Sequence, residues 1–192
     1  MAVVRVLGVD PGTVRCGWGI VDSSGSRLER VASGVIQVGR GDIAPRLAKI
    51  SEHISAMIVA HQPDSLSLER SFLARNVQSA FRLGEARGAI MAVSSSAGLT
   101  VAEYAPTTLK KAVTGTGRAD KAQIQAAISR LFGAGFDPAE DEADALAAAV
   151  CHALSAVMLS KIAQAEAQGQ GQQKAATQSR RATSRQAGWG SQ

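Results

Sequence analysis

Val3-Val4-Arg5-Val6-Leu7-Gly8-Val9-Asp10-Pro11-Gly12-Thr13 decides the fold of this 192-residue chain. Residues 3–10 are a mostly apolar run that ends on an acid, as a strand buried on both faces does. Pro11-Gly12-Thr13 is turn chemistry. Cys16 to Val21 mixes small, aromatic and aliphatic residues and is expected to return as a second strand paired on the first. Asp22-Ser23-Ser24-Gly25 turns the chain again. Leu28 to Val38 supplies a third strand, with period-two apolar positions at Val31 and Val35. The opening reads as an antiparallel meander.

The period then changes. Ile43, Leu47, Ile50, Ile54 and Ile58 recur at three- and four-residue spacing, which predicts a helix from Ile43 to Ala60. Pro63-Asp64 breaks it, and Ser65-Leu66-Ser67-Leu68-Glu69 is a short strand. A strand, a crossover helix and a strand imply parallel pairing with the first strand region. An Ala-rich helix over about Val77 to Ala97 leads to a brief strand, Thr100 to Glu103. A short helix, Thr107 to Val113, precedes the loop Thr114-Gly115-Thr116-Gly117. Asp120, with Gln123 three residues on, is an N-cap pattern; its helix carries Ile124, Ala127, Ile128 and Leu131 and stops at Gly133. A last helix starts near Asp141 and is expected to bury Leu146, Val150, Leu154 and Val157. The expected fold is α/β, a mixed five-stranded sheet flanked by helices, and the order of elements matches the ribonuclease H-like topology. That domain is expected to span residues 1–163. Residues 164–192 are mostly Gln, Ala, Gly, Ser, Thr and Arg with almost no large apolar side chains, and are expected to form a basic, disordered tail.

Composition narrows the class of protein. The chain is 45% hydrophobic and 19% charged, ordinary for a globular domain. No apolar run approaches a bilayer span, and the N-terminus lacks a basic segment followed by a cleavable apolar stretch. Cys16 and Cys151 fit neither a disulfide framework nor a zinc spacing, so two buried reduced thiols and a cytoplasmic protein are expected. The net charge is +5, a balance that allows polyanion binding without requiring it.

Four acids stand where an acid is costly. Asp10 ends the most hydrophobic strand, and Glu69 ends the strand expected beside it. Asp141 and Asp144, three residues apart, point to one face of a helical turn. If that helix lies across the sheet edge the four converge, and without a cation they would repel one another and raise their own pKa values. Oxygen ligands with no His or Cys favour Mg²⁺, with Mn²⁺ as the alternative. Two such ions roughly 4 Å apart suit phosphodiester hydrolysis, one activating the attacking water and the other stabilising the leaving oxygen. Taken singly, each acid has a plainer reading: Asp10 starts a turn, and Asp141 caps a helix. Glu69 is harder to explain that way, because a strand-terminal Glu gains nothing as a cap.

Gly8-Val9-Asp10-Pro11-Gly12-Thr13 resembles the first phosphate-binding hairpin of actin-like sugar kinases and ATPases, which makes a nucleotide-dependent phosphotransferase the rival enzyme. That fold needs two such lobes, and one lobe fills this chain. A more extensive resemblance is to the RuvC family of Holliday-junction resolvases. It rests on Val9-Asp10-Pro11-Gly12 and Cys16-Gly17-Trp18-Gly19. It continues through Leu66-Ser67-Leu68-Glu69-Arg70-Ser71-Phe72, Arg75-Asn76 and Leu83-Gly84-Glu85-Ala86-Arg87-Gly88. It is completed by the segment from Tyr104 to Gly117 with Lys121, and by Asp141-Glu142-Ala143-Asp144.

The resemblance implies an endonuclease that resolves Holliday junctions by symmetric, metal-dependent nicking of two strands of like polarity in recombination and repair. Asp10, Glu69, Asp141 and Asp144 would be its metal-binding catalytic acids. Phe72 would insert against bases at the crossover, and Lys110 and Lys121 would contact or stabilise the scissile phosphate. Arg75, Asn76, Lys111 and Arg118 are further expected DNA contacts. The implied partners are four-way junction DNA, a second copy of the chain and the branch-migration motor of RuvA and RuvB. Lys110, Lys111, Arg118 and Lys121 surround a glycine-bearing loop with only Asp120 opposing them. A solvated surface run is the plain alternative for them, core packing is the plain alternative for Phe72, and packing is the expected role of His152. A junction-binding protein that no longer cuts is the non-enzyme rival, and the complete acid set argues against it.

Overall fold

Alternation along the first strand sets the layers of the molecule. In the computed structural model, which describes residues 3–70, 76–133 and 135–158, β1 (Val4–Asp10) sends Leu7 and Val9 to one face of the sheet and Val6 and Gly8 to the other. β2 (Arg15–Ser24) and β3 (Arg27–Gln37) complete the antiparallel meander. The crossover helix α1 (Ile43–His61) returns the chain to β4 (Ser65–Glu69), parallel to β1. Helix α2 (Val77–Ser96) then leads to β5 (Thr100–Tyr104), parallel to β4. The sheet order is β3-β2-β1-β4-β5, the mixed five-stranded ribonuclease H-like arrangement expected from the sequence. Helices α3 (Pro106–Thr114), α4 (Lys121–Phe132) and α5 (residues 140–158) follow. Residues Met1–Ser155 make one compact unit, which carries the sheet, both cores and the candidate site.

One core lies between the sheet and helices α1 and α2: Leu7, Val9, Ile20, Leu66 and Leu68 meet Ile50, Ile54, Ala86 and Ile90. The second lies on the opposite face, where Val6 and Val21 meet Ile124 and Ile128 of α4 and Leu146 and Val150 of α5. Cys16 and Cys151 are buried and free, as expected. Asp120 forms the expected capping box: its carboxylate accepts from Gln123 N at 2.8 Å, and the Gln123 side chain accepts from Asp120 N at 3.0 Å.

Four apolar positions differ from expectation. Val31 is 38% exposed because a register shift pairs Ile20 with Ala32 and Val21 with Arg30, leaving Val31 as the extra residue of a bulge in the outermost strand. Leu131 is 44% exposed; Phe132, the next residue, packs against the second core in its place. Leu154 is 38% exposed and Val157 only partly covered. The buried stripe of α5 runs instead through Ala143, Leu146, Ala149, Val150 and Ala153. The reason for so much alanine lies in the sheet beneath it.

Candidate active site

Small residues in β1, β2 and β4 let α5 rest its backbone on the sheet. A Cβ added at Gly8 would collide with Ala145 O and stand 2.6 Å from Ala149 N, and one at Gly17 would land on Asp141 O. At Gly19 it would meet the Leu146 side chain at 2.5 Å. In β4 the hydroxyl of Ser67 donates to Ala148 O at 2.7 Å. Three glycines and one serine on three neighbouring strands therefore seat the first turns of α5.

This seat brings the acids together. Val9 and Leu68 are paired neighbours on β1 and β4 and both point into the α1/α2 core. The next residues, Asp10 and Glu69, alternate to the α5 face. Asp10 pairs across β2 with Gly17, the residue against which Asp141 O rests. Asp141 and Asp144 lie in the first turns of α5, on the row that continues through Ala145 and Ala148.

The acids feel one another. Burial pushes the Asp10 carboxyl up to about 8, and the charges of Asp144, Glu69 and Asp141 add to the shift. Burial raises Asp144 to about 6, opposed by Lys121 and supported by Glu69, Glu140 and Asp141. Glu69 is raised by burial and drawn back by Lys110, Lys121 and Arg87. Among the described residues, no hydrogen bond or ion pair reaches the Asp10 carboxylate, and no three His, Cys, Asp or Glu side chains stand together in an arrangement ready to hold a metal ion. Asp141 is instead turned to Arg15, with Nε 2.7 Å from Oδ2. Arg15 was not among the sequence candidates, and nothing local marks it.

The basic residues are placed as follows. Lys110 and Lys121 lie near enough to Glu69 to lower its pKa. Lys121 also faces Asp144 and Asp10, and its ammonium is paired with Glu140. The expectation that only Asp120 opposes this cluster is therefore corrected: Glu140, nineteen residues along the chain, does so as well. Lys111 is exposed on α3, and Arg118 is exposed on the approach to α4. The loop between them is shaped by Gly115, which takes the left-handed conformation at φ 79°, and by Thr114 Oγ1, which donates to Lys110 O at 2.8 Å. Asn76, expected as a DNA contact, caps α2, its side chain accepting from Ser79 N at 2.8 Å. Phe72 and Arg75 lie outside the described residues.

Two arginines missed as site residues brace the strand ends. Arg46, buried on α1, donates from Nε to Thr13 O at 2.7 Å and so fixes the loop that follows Asp10. Arg87 on α2 donates to Glu69 O and pairs with Glu103. His152 accepts or donates at 2.8 Å with the Tyr104 hydroxyl and packs against its ring, in line with the packing role expected.

Residues 6–152 match the family model described as "Crossover junction endodeoxyribonuclease RuvC". A protein of that name from Burkholderia ambifaria (strain MC40-6) is 45% identical over 159 residues, covering 83% of this chain and 87% of the relative. One from Caulobacter sp. (strain K31) is 49% identical over 151 residues, covering 78% and 89%. Among solved structures, Thermus thermophilus RuvC in complex with Holliday junction substrate superposes with a TM-score of 0.76 at 28% identity, covering 81% of this chain and 96% of that one. The yeast mitochondrial Holliday junction resolvase Ydc2, with a TM-score of 0.59 at 12% identity over 78% of each chain, shares the fold. With the family model spanning the acids from Asp10 to Asp144 and relatives at this identity along most of their length, the chain belongs to the RuvC family of crossover junction endodeoxyribonucleases.

Proposed function

We propose that this protein cuts Holliday junctions, nicking two strands of like polarity symmetrically with a divalent metal. The observation that carries this reading is the carboxylate group at the ends of β1 and β4. It is short of positive charge, holds Asp10 protonated near neutrality, and is flanked by Lys110 and Lys121. Hard carboxylate oxygens with excess negative charge fit a cation such as Mg²⁺, with Mn²⁺ as the alternative. Asp10, Glu69, Asp141 and Asp144 would hold the metal, two ions in our reading. When bound it supplies Lewis-acid activation of water and of the scissile phosphate. To hold it, Asp10 would have to be ionised, and Asp141 would have to turn from its ion pair with Arg15. Lys110 and Lys121 bind and orient the phosphate, and Lys111, Arg118, Arg75 and Asn76 extend the backbone contacts. Phe72 stacks on a base at the opened crossover. The working form is a homodimer that offers one acid group to each of two equivalent strands. It acts in the cytoplasm alongside the RuvA and RuvB motor, and no described helix is long and apolar enough to cross a membrane. The direct test is incubation of a synthetic mobile four-way junction and a linear duplex with and without Mg²⁺. Paired nicks on the junction alone, dependent on the metal, are expected; equal cutting of the duplex would overturn the reading.

Metal loading has a signature independent of cleavage. From about pH 4 to about pH 8 the folded metal-free chain keeps a proton on Asp10 that the unfolded chain has released. This contribution to stability is therefore complete at low pH and lost as pH rises through 8, with Asp144 adding a smaller loss through about 6. A bound cation removes the penalty on the ionised acids. Saturating Mg²⁺ should therefore raise the melting temperature more at pH 8.5 than at pH 6. Equal increments at the two pH values would argue against these acids as ligands.

Lys121 provides a second test. Lys121→Ala should slow junction cleavage by on the order of 10²-fold, because a positive charge near the developing phosphate charge is lost. Glu140→Gln, which frees Lys121 from its surface partner, should keep full activity. Wild-type cleavage by Lys121→Ala at all salt concentrations would return Lys121 to a simple surface charge.

A further inference from the structure

The inner row of α2 is Leu83, Ala86, Arg87, Ile90 and Ser94, and Arg87 is its only charged member. Its side chain is 17% exposed, and burial lowers its pKa, with Arg70 adding to the shift. A buried arginine is a poor way to stabilise a helix–sheet contact: desolvating a guanidinium and its carboxylate offsets most of their attraction, and an apolar pair of similar volume packs as well or better. What the guanidinium supplies is direction. One nitrogen donates to the main-chain oxygen of Glu69, and another pairs with Glu103. Glu103 precedes Tyr104, the β5 residue opposite Glu69, and it is approached at 4.0 Å by Arg70. The planar fork therefore joins α2, the last residue of β4 and the neighbouring strand β5 at the point where the chain leaves the sheet.

We propose that Arg87, oriented by Glu103, is a positioning residue for Glu69. It fixes the end of β4 so that the Glu69 carboxylate is presented to the metal and the scissile phosphate, and it does so without touching either. This inference rests on the assignment of Glu69 to the metal site. The same fork ties the catalytic strand to α2, whose opposite side exposes Val77 and Phe81 at 73% and 70%. Displacement of this helix would therefore be felt at Glu69.

The test separates positioning from packing. Arg87→Met with Glu103→Leu replaces the pair by apolar side chains, so the double variant should fold with a melting temperature near that of wild type. Mn²⁺ binding, followed by electron paramagnetic resonance, should nevertheless weaken by about 10- to 100-fold, as expected on loss of a residue that orients a ligand. The cleavage rate on saturating junction should fall by a similar factor, with junction affinity unchanged. Arg87→Lys retains the charge but cannot bridge both partners with a planar fork, and should show the same loss of metal affinity. A stably folded double variant that binds Mn²⁺ and cuts as wild type does would overturn the proposal, leaving Arg87 and Glu103 as a structural tie. If the double variant melts well below wild type, Arg87→Lys decides: normal Mn²⁺ affinity there would also overturn it. Failure of the wild-type protein to bind Mn²⁺ at all would instead sink the metal-site assignment on which the inference rests.

Discussion

Asp10→Asn should abolish nicking, with a loss of roughly 10³-fold or more, while junction binding stays within a few-fold of wild type. The magnitude follows from where Asp10 stands. Transition-state charge stabilisation by a bound metal is worth several kcal/mol, and each ~1.4 kcal/mol is tenfold in rate. Asp10 is the acid on which the charges of the other three converge. Asparagine keeps the shape and one oxygen donor but loses the charge that would hold the cation. In the proposed reading, binding to the junction would rest on Lys110, Lys111, Arg118 and Lys121, which the substitution leaves in place. The variant should also be at least as stable as wild type without metal, because it removes a group forced to remain protonated up to about pH 8. Electrophoretic mobility shift in the absence of Mg²⁺, gel assay of cleavage in its presence and thermal melting together check all three expectations. Cleavage at the wild-type rate would remove Asp10 from the reaction. Loss of junction binding with intact folding would mean that Asp10 also shapes the DNA surface.

The fold was legible because its signals are local. The change of apolar period after Val38, the break at Pro63-Asp64 and the Asp120–Gln123 capping box each belong to a few neighbouring residues, and β4 occupies the residues expected, Ser65–Glu69. Burial of single positions was less legible. Val31 depends on a bulge, and Leu131 and Leu154 on which flank of a helix the neighbouring elements cover. The acids were readable because each is out of place in its own element. Their cationic partners were not: Arg15 with Asp141, Lys121 with Glu140 and Arg87 with Glu103 join residues far apart in the chain, and one sequence does not show which surface charges will meet. The glycines of Cys16-Gly17-Trp18-Gly19 form the intermediate case. They stand out as a motif, but their purpose appears only once α5 is seen resting on them.

That purpose makes Gly17→Ala the most informative structural substitution in the molecule. Its methyl group would be directed onto the carbonyl oxygen of Asp141, an atom of the helix backbone that cannot rotate out of the way. The first turn of α5 must lift, or β2 must bend, and overpacking of this kind costs about 1–3 kcal/mol. For a domain of this size that corresponds to a melting temperature lower by roughly 2–4 °C per kcal/mol, a loss the protein should survive at assay temperature. Activity should suffer more. Gly17 lies opposite Asp10 on the neighbouring strand, so the shift opens the gap between Asp10 and the Asp141–Asp144 turn. A displacement of about 1 Å in such a site costs on the order of 10²-fold. Gly34→Ala is the appropriate control: its methyl would approach Trp18 Nε1 at 3.3 Å, a side-chain contact away from the acids, and should leave cleavage nearly unchanged. The expected pattern is a folded Gly17→Ala protein that binds junctions, cuts them about 10²-fold more slowly and gains less thermal stability from Mg²⁺ than wild type does. A Gly17→Ala protein with normal melting and normal cleavage would show that α5 does not rest on this strand as described, and the geometric basis for joining the four acids would fall with it.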